Sequence, residues 1–304
     1  GEEIETLPYL LTEMSLRHGT LHSWSNRNDD LAVDVTAAED RDDFVQVYTF
    51  LGGWIALTAD GTAISSDPQY NRTRIARICG GLHTSFGLID FDGNLEAITI
   101  DAAKPEEPLN EVVDAFVSET HSIALFENGR IHTWGPAYRG ETPDRLIWEP
   151  APRTLRRIKK IIGSTVVGAA VSEEGELTAW THAGEGQFGE TVNQEIRDVT
   201  ARPTGLRVIN REGHFYWWNA EGNGYRKRTD LAEELGPISE IFDNSGNCNL
   251  IRLEQSNEVT TDSGAAKSAG IEKSLTPLEG LPDYAFSLYD DVGIYRLLWI
   301  EYED

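Results

Sequence analysis

The chain has 304 residues, and its 51 acidic residues outnumber its 26 basic ones, which gives a formal net charge of −25 at pH 7. Nucleic-acid affinity depends largely on Lys and Arg at the phosphates, so we expect no direct binding of DNA or RNA. A protein partner with a basic surface would be steered towards such a chain. The alternatives are that the charge only keeps the protein soluble, or that it is an adaptation to salt.

Apolar residues make up 39% of the chain and charged residues 25%, as in ordinary globular domains. The longest apolar runs, such as 297–300, are far too short to cross a bilayer. The opening Gly1-Glu-Glu does not resemble a signal peptide. We therefore expect a soluble intracellular protein of the cytoplasm or nucleus, without membrane association.

One unit recurs along the chain: a short apolar strand, an acidic or polar pair, a glycine, and a second strand that often closes on tryptophan. The clearest copy reads Ile123-Ala-Leu-Phe-Glu-Asn-Gly129-Arg-Ile-His-Thr-Trp134. The turn residues of seven copies are Gly19, Gly61, Gly93, Gly129, Gly175, Gly213 and Asn257. Their spacing suits one four-stranded blade of a propeller per copy. Asp-Gly, Asn-Gly and Glu-Gly pairs between apolar runs predict hairpins with tight primed turns, in which Gly supplies the positive φ.

Most copies also have a preceding apolar strand, at 45–50, 75–79, 113–117, 158–162 and 238–242. The last such strand, 284–288, is followed by 294–300 without a complete further hairpin. Because an open ring would leave an unpaired edge, we expect 284–300 to pair with N-terminal strands near 20–24. Segment 8–16 competes with 294–300, so it lies outside the blade or belongs to an eighth, partial blade; we favour seven blades.

Short motifs carry a resemblance to a known family. Cys79-Gly-Gly-Leu-His83-Thr84 and Ser118-Glu-Thr-His121-Ser122 resemble the Gly–His–Thr/Ser strand starts of the regulator-of-chromosome-condensation family. Trp134-Gly135 matches its Trp-Gly pair, and Gly184-Glu-Gly-Gln-Phe-Gly189 is similar to its loop ending in Gly-Gln-Leu-Gly. The resemblance covers nearly the whole chain and is strongest over 76–225. It implies a single all-β domain over 1–304, a seven-bladed β-propeller of four-stranded antiparallel blades closed by pairing of the N- and C-terminal strands.

No pattern of catalytic or metal-binding residues is present in the sequence. Cys79 and Cys248 are too few for a zinc cluster, and neither His-Glu-x-x-His nor Gly-x-Ser-x-Gly occurs. The glycines of 184–189 formally match a dinucleotide fingerprint, but no helix is predicted after them. We therefore predict no enzyme activity, no cofactor and no metal. His83 and His121 hold a repeat position and are predicted to be buried imidazoles that bond the backbone between blades.

The eight tryptophans fall into two groups. Four hold the repeat position and are predicted to pack between blades; they are Trp24, Trp134, Trp180 and Trp218. The other four are off the pattern; they are Trp54, Trp148, Trp217 and Trp299. Trp217 directly precedes Trp218, so it points to the opposite face of its strand. It is either an interface anchor or packed locally, onto the next blade.

Two long predicted loops supply the other candidate residues. The loop 137–153 carries Tyr138, Arg139 and Trp148, and the loop 220–230 carries Tyr225 and Arg226 within a basic cluster. Loops on a rigid scaffold commonly bind partners, although the basic cluster can equally be a local charge balance. The candidate partner-binding residues are therefore Trp217, Tyr138, Arg139, Trp148, Tyr225 and Arg226.

These observations favour a non-enzymatic protein–protein interaction module, an adaptor, regulatory subunit or inhibitor that binds a partner protein on one propeller face. We expect it to be a monomer or part of a hetero-complex. The family resemblance implies one alternative, a guanine-nucleotide exchange factor for a small GTPase. A carbohydrate-binding propeller that uses exposed tryptophans is a second alternative.

Overall fold

A computed structural model of the protein describes residues 19–25, 34–50, 53–82, 84–141, 150–153, 155–164, 166–181, 184–185, 195–202, 205–219, 225–227, 237–242, 250–253, 259–261, 284–291 and 294–302. In this part of the chain the regular structure is β-strand, with four short 3-10 helices. The helices are Thr36–Ala38, Pro68–Tyr70, Asp101–Ala103 and Pro136–Arg139.

The strands pair antiparallel with their neighbours in the chain. The first ten are β1 (Gly19–Ser25), β2 (Phe44–Phe50), β3 (Gly53–Thr58), β4 (Ala63–Ser65), β5 (Ile75–Cys79), β6 (Phe86–Asp90), β7 (Leu95–Ile98), β8 (Val112–Phe116), β9 (Ser122–Phe126) and β10 (Ile131–Trp134). The next eight are β11 (Ile158–Gly163), β12 (Gly168–Ser172), β13 (Leu177–Thr181), β14 (Gly184–Glu185), β15 (Ile196–Arg202), β16 (Gly205–Asn210), β17 (Phe215–Asn219) and β18 (Tyr225–Lys227). The last five are β19 (Ile238–Phe242), β20 (Leu250–Leu253), β21 (Val259–Thr261), β22 (Tyr284–Asp291) and β23 (Ile294–Tyr302).

We call the consecutive groups of strands blades. Blade 1 is β2–β4, blade 2 is β5–β7, blade 3 is β8–β10, blade 4 is β11–β14, blade 5 is β15–β18 and blade 6 is β19–β21. Strands β22, β23 and β1 form the terminal sheet, which the single pair Gly19↔Phe44 joins to blade 1. The first strand of each blade is its inner strand. The inner strands of neighbouring blades contact one another from blade 1 to blade 6, and that of blade 1 also contacts β22.

The prediction of four strands in every blade is wrong for blades 1 and 2, where the chain after the third strand is described and forms no fourth strand. In blades 3 and 6 the chain after the third strand lies partly or wholly outside the described residues. Blades 4 and 5 have four strands. In blade 2, the chain after β7 forms a 3-10 helix and a loop, and one backbone hydrogen bond, from Leu95 N–H to Leu109 O (3.0 Å), stands where a fourth strand would pair. Pro105 and Pro108 lie in this stretch and have no N–H to give to a ladder.

The antiparallel order of the strands gives each blade two distinct ends. At one end lie the start of the inner strand and the turn between the second and third strands. We call this end the turn face. The connections from first to second strand and from third to fourth lie at the opposite end, the loop face. A side chain can therefore be assigned to a face from its place in the blade.

The hairpin turns of blades 1 to 5 share one geometry, and it is not the primed turn that the sequence predicts. In each turn the glycine N–H donates to the carbonyl three residues earlier, as Gly175 does to Ser172 (3.0 Å). The two residues before each glycine lack a positive φ, whereas the glycines have φ between 74° and 85°. This is a type I turn followed by a left-handed glycine, the three-residue hairpin loop with a bulge.

Each glycine turn is bonded to the blade that follows. The carbonyl of Gly175 accepts from the N–H of Ile196, the first residue of the next inner strand (2.9 Å). Glu195, just before it, is itself left-handed (φ 31°), and a Cβ on Gly175 would lie 3.0 Å from its Cα. The same carbonyl-to-amide bond recurs in the other turns; the pairs are Gly61–Ile75, Gly93–Val112, Gly129–Ile158 and Gly213–Ile238. The turn face therefore has a repeated, tightly fixed backbone.

The inner strands share a second irregularity. The pairing of inner and second strands shifts by one residue, as between Ile158 and Lys160 in blade 4. The same shift occurs at the corresponding point of the other inner strands, skipping the residues Val45, Ala76, Val113, Arg197 and Ser239. A bulge of this kind re-aims the side chain of the extra residue.

The apolar core consists of clusters between successive blades. Trp134 belongs to the cluster between blades 2 and 3, Trp180 to that between blades 3 and 4, and Trp218 to that between blades 4 and 5. All three are buried, which confirms the predicted packing of the repeat tryptophans at these positions. The fourth, Trp24, lies in β1, but its side chain is outside the described residues.

The two ends of the described chain meet in the terminal sheet. Strand β23 pairs with β22 on one side and with β1 on the other, from Gly19↔Tyr302 to Ser25↔Arg296. Gly19 is thus a strand residue rather than the predicted turn residue. Segment 8–16 and the predicted turn residue Asn257 lie outside the described residues.

Candidate partner-binding surfaces

Of the six residues predicted to bind a partner, the five that the structure describes lie in two blades, 3 and 5. Tyr138 and Arg139 lie in the 3-10 helix after β10, on the loop face of blade 3. Trp217 lies on β17 of blade 5, and Trp148 is outside the described residues. Tyr225 and Arg226 were expected in a loop, but they belong to β18, an outer strand that pairs with β17. Their side chains are not among those described.

Tyr138 has a structural position rather than a free surface one. Its ring packs against the cluster between blades 3 and 4, which contains Trp180. Burial raises the pKa of Tyr138 to about 12, and hydrogen bonding to the side chains of Trp180 and Thr133 works against that rise. The hydroxyl is therefore engaged inside the propeller.

Arg139 is exposed but locally neutralised. Its guanidinium contacts the carboxylates of Glu141 (2.7 Å) and Glu106 (3.7 Å). It also donates to the carbonyl of Ala102 (3.0 Å), a residue of the neighbouring blade 2 connection. Arg139 thus ties two loop-face connections together, and little of its charge is left for a partner.

Trp217 is half-buried and stacks under a cation. The guanidinium carbon of Arg207 lies 4.3 Å from the centre of the Trp217 ring. Arg207 on β16 pairs with Trp217, and Trp217 pairs with Arg226, so the three residues form one row across blade 5. The row is on the opposite side of the blade from Trp218, as the alternation of a strand requires. Local packing with Arg207 therefore accounts for the exposed-anchor candidate of the sequence.

The other described tryptophan side chains are buried. Trp54, off the repeat pattern, is fully buried between the terminal sheet and blade 1, and its Nε1 donates to the carbonyl of Asp34 (2.7 Å). Within the described residues, the large apolar side chains that are exposed are Phe91 and Ile100, which are not tryptophans. Nothing in this part of the chain offers the exposed tryptophan pockets that a carbohydrate-binding propeller would use.

His121 confirms the predicted role of the repeat histidine. It is fully buried, and it hydrogen-bonds the backbone of Val167 in the next blade. Burial lowers the pKa of His121 to about 3, although that hydrogen bond opposes the shift. The imidazole is therefore neutral at ordinary pH and links blade 3 to blade 4. His83, at the corresponding place, lies outside the described residues.

Acidic side chains recur on the turn face, at or next to the residue before each turn glycine. We call these the acidic turn residues: Asp60, Asp92, Glu127, Glu174 and Glu212. All five are exposed. Hydrogen bonds from Thr58 and Thr62 hold the pKa of Asp60 below its ordinary value, so this carboxylate is ionised at neutral pH. The five blades thus present carboxylates from equivalent positions on a fixed backbone, and two of these carboxylates also contact an exposed arginine: Asp92 contacts Arg74 (3.2 Å) and Glu174 contacts Arg157.

A cluster of basic side chains interrupts this acidic face at blades 3 to 5, and the sequence reasoning missed it. Residues 153–160, Arg-Thr-Leu-Arg-Arg-Ile-Lys-Lys, contain five basic residues and no acidic one. A cleft beside them is lined mainly by the charged residues Lys159, Glu173, Glu174, Glu195, Arg197 and Arg211. A scan for local charge against the strongly acidic background would have found this segment.

The part of the chain that the structure describes has no group of three or more His, Cys, Asp or Glu residues placed to hold a metal ion. None of its helices is long and apolar enough to cross a membrane.

Comparison with known proteins identifies the class of fold. No protein-family model matches the chain, and no curated protein matches it in sequence. Among solved structures, Prp20p from Saccharomyces cerevisiae superposes with a TM-score of 0.54 at 10% identity, covering 86% of this chain and 83% of that one. Human WBSCR16 gives 0.52 at 12% identity, covering 89% and 88%. Yeast RCC1 (Prp20) bound to Kap60 gives 0.52 at 9%, covering 86% and 81%. The chain has the fold of the RCC1-like β-propellers, as its repeats predict.

Proposed function

We propose that the protein is a non-enzymatic protein-binding module whose turn face receives a basic surface of a partner protein. The observation that carries this proposal is the recurrence of the acidic turn residues at equivalent, exposed positions. The net charge of −25 gives the whole molecule the same sign and would speed the approach of a basic partner. The module acts as an adaptor, regulatory subunit or inhibitor, in the cytoplasm or nucleus.

The turn face is suited to binding because its backbone is ordered before any partner arrives. Each turn is closed by its own glycine hydrogen bond and tied to the next blade by a second one. A surface that is already ordered loses little conformational entropy on association. The acidic turn residues can therefore contribute to affinity without first fixing a flexible loop.

The binding partners of one structural relative are consistent with a basic protein partner. Prp20p, whose fold the chain shares, has binding properties towards Gsp1p and histones. Histones are strongly basic proteins, so a propeller of this type can meet a basic partner. At 10% identity the likeness assigns no residue roles to this chain, whose own acidic turn residues support the proposal.

We also infer that the blades form a closed ring of seven, with the terminal sheet as the seventh. Pairing of β23 with β1 supports closure by both ends of the chain. The contact between β2 and β22 supports it too, because it puts the inner strand of blade 1 beside that of the terminal sheet. A closed ring would leave no sheet edge between the first and last blades.

A pull-down with mass spectrometry tests the proposed function. We would compare the parent with a turn-face variant (D60N, D92N, E127Q, E174Q and E212Q) and with a loop-face control (D101N, E106Q, E107Q, E119Q and E141Q). Both variants lose five negative charges, so bulk charge is matched. The parent and the control should recover the same stoichiometric basic partner, and the turn-face variant should recover at least tenfold less. Absence of any stoichiometric partner, or equal recovery by all three proteins, would contradict the proposal.

Guanine-nucleotide exchange on a small GTPase is the second candidate function. It is supported by the fold likeness to Prp20p and by the binding of that protein to Gsp1p. Exchange would act by distorting the partner and needs no catalytic constellation on the propeller. Faster release of labelled GDP across a panel of small GTPases would support it, and unchanged release from every member would exclude it for that panel.

A further inference from the structure

Acidic side chains alone would not fix the rotation of the partner about the propeller axis. The acidic turn residues occupy equivalent positions in successive blades, so a basic surface could bind in several rotations about the propeller axis. Specific interfaces fix one register by adding a feature that the wrong arrangements lack. A site of opposite charge in one sector of the face would do this.

Such a site exists at blades 3 to 5. We call it the basic strip and define it as Arg130, Arg153, Arg156, Lys159 and Arg197. Arg130 follows the turn glycine of blade 3, and that glycine packs against Arg157 at the start of blade 4. Arg156 donates to the carbonyls of Arg153 and Leu155, which keeps the segment folded back on itself. All five side chains are exposed.

The bulged position of the inner strands makes the strip specific to one sector. This position is occupied by Val45, Ala76 and Val113 in blades 1 to 3, but by Lys159 and Arg197 in blades 4 and 5. The backbone is repeated, whereas the charge is not. Any ligand that needs two neighbouring cations at this position finds them at blades 4 and 5 and not at blades 1 to 3.

Four cations of the strip are not neutralised by the protein itself. Among the described residues, Arg130, Arg153, Arg156 and Lys159 have no carboxylate partner within ion-pair distance. The glutamates beside them are already engaged by other arginines. Arg157 contacts Glu173 and Glu174, and Arg211 contacts Glu195 (2.7 Å). The cleft therefore holds its own ion pairs and leaves these four cations to an external anion.

We propose that the basic strip binds a short acidic peptide segment of the partner and so fixes the rotation in which the partner sits on the turn face. A peptide fits better than a nucleic acid because the strip is short and bordered by the acidic turn residues. A long polyanion would run onto that acidic border, whereas a few carboxylates fit within the strip. Charges separated by more than about 8 Å are largely screened at physiological salt, so the contact is local. This inference rests on the proposed function. The acidic turn residues bind a basic surface of the partner, and the basic strip binds an acidic segment of the same partner.

The direct test is a fluorescence-anisotropy titration with a labelled eight-residue peptide of alternating Glu and Ser. The strip variant carries R130Q, R153Q, R156Q, K159Q and R197Q. The control variant carries R41Q, R72Q, R74Q, K104Q and R139Q, which removes five cations that are each paired with a carboxylate. The peptide should bind the parent and the control within twofold, and the strip variant at least tenfold more weakly. Equal affinity for all three proteins would overturn the proposal, as would tighter binding of a single-stranded oligonucleotide of the same charge.

A second measurement separates this proposal from the proposed function. Cross-linking of the recovered partner to the parent should give one consistent set of sites around the turn face. The strip variant should still cross-link on the turn face, but with sites spread over several blades. An unchanged set of sites in the strip variant, together with lost binding in the turn-face variant, would overturn the strip and leave the proposed function standing. Unchanged binding in both variants would overturn both.

Discussion

The two faces of the propeller differ in how far they repeat. On the turn face, blades 1 to 5 share one turn geometry and one hydrogen bond to the next blade. On the loop face blades 1 to 3 each have a different hydrogen bond: Asn71 accepts from the Ser65 N–H in blade 1 (2.8 Å), Ser85 bonds Thr99 in blade 2 (3.0 Å), and Ser118 accepts from the His121 N–H in blade 3 (3.0 Å). The repeat is thus a property of the turn-face backbone, where blades differ only in side chains. That is the arrangement expected of a scaffold that displays a binding surface.

We expect the largest effect on stability from replacing a turn glycine. Gly129→Val and Gly175→Val should each lower the free energy of unfolding by about 2–4 kcal/mol, since a branched side chain is strained at positive φ and would press on the next blade. A Cβ at Gly129 would lie 3.1 Å from the Cα of Arg157. Denaturant melts measure the loss.

The matched control is Gly80→Ala, on the loop face. Gly80 has no positive φ, and a Cβ there would meet only Tyr48, at 3.7 Å. This change should cost less than about 1 kcal/mol. If the two turn variants melt like the parent, the turn geometry described here is wrong.

The second prediction concerns His121, which links blades 3 and 4 on the loop face, and the pH dependence of the free energy of unfolding. Folded His121 has a pKa of about 3, against an ordinary value of 6.5, so the unfolded chain takes up this proton first as pH falls. Its contribution to stability is therefore complete above about pH 6.5 and is lost towards pH 3, by at most about 1.4 kcal/mol per pH unit. His121→Gln should be less stable at pH 7 and should lack this pH dependence. Parallel slopes for parent and variant between pH 6.5 and 5 would contradict the burial of a neutral imidazole.

The smallest expected effect is the difference in coupling free energy between two cation–aromatic pairs. Arg207 over Trp217 is close (4.3 Å) and largely shielded, whereas Arg74 over Phe91 on the turn face is distant (6.0 Å) and exposed. A double-mutant cycle should give a coupling of about 1 kcal/mol for the first pair and less than about 0.5 kcal/mol for the second. Equal couplings would mean that Phe91 is committed to the fold and is not free for a partner.

The sequence predicts the turn face better than the loop face, for physical reasons. Gly93, Gly129, Gly175 and Gly213 are readable because positive φ strongly favours one residue type. The turn type was missed, since the same dipeptides suit primed turns and type I turns with a bulged glycine. The lack of a fourth strand in blades 1 and 2 was also missed, because an outer strand has no fixed motif and two prolines suffice to prevent it in blade 2.

The candidate site was harder to predict than the fold. Tyr138 and Trp217 were chosen as loop or off-pattern aromatics, but both pack within or between blades, because an aromatic side chain near a core is drawn into it. Exposed charge is easier to read. The basic segment 153–160 stands out in the sequence once it is set against a chain of net charge −25. What sequence cannot show is that Arg157 is paired, whereas Lys159 has no carboxylate partner among the described residues, since that depends on the neighbouring turn.

Hydroxyl-radical footprinting of the complex with the recovered partner tests whether the partner binds the turn face. The two large exposed apolar side chains of the described residues lie on opposite faces, Phe91 on the turn face and Ile100 on the loop face, with exposures of 39% and 50%. We predict that the partner protects Phe91 from oxidation and leaves Ile100 unchanged. Protection of Ile100 with Phe91 unchanged would contradict it.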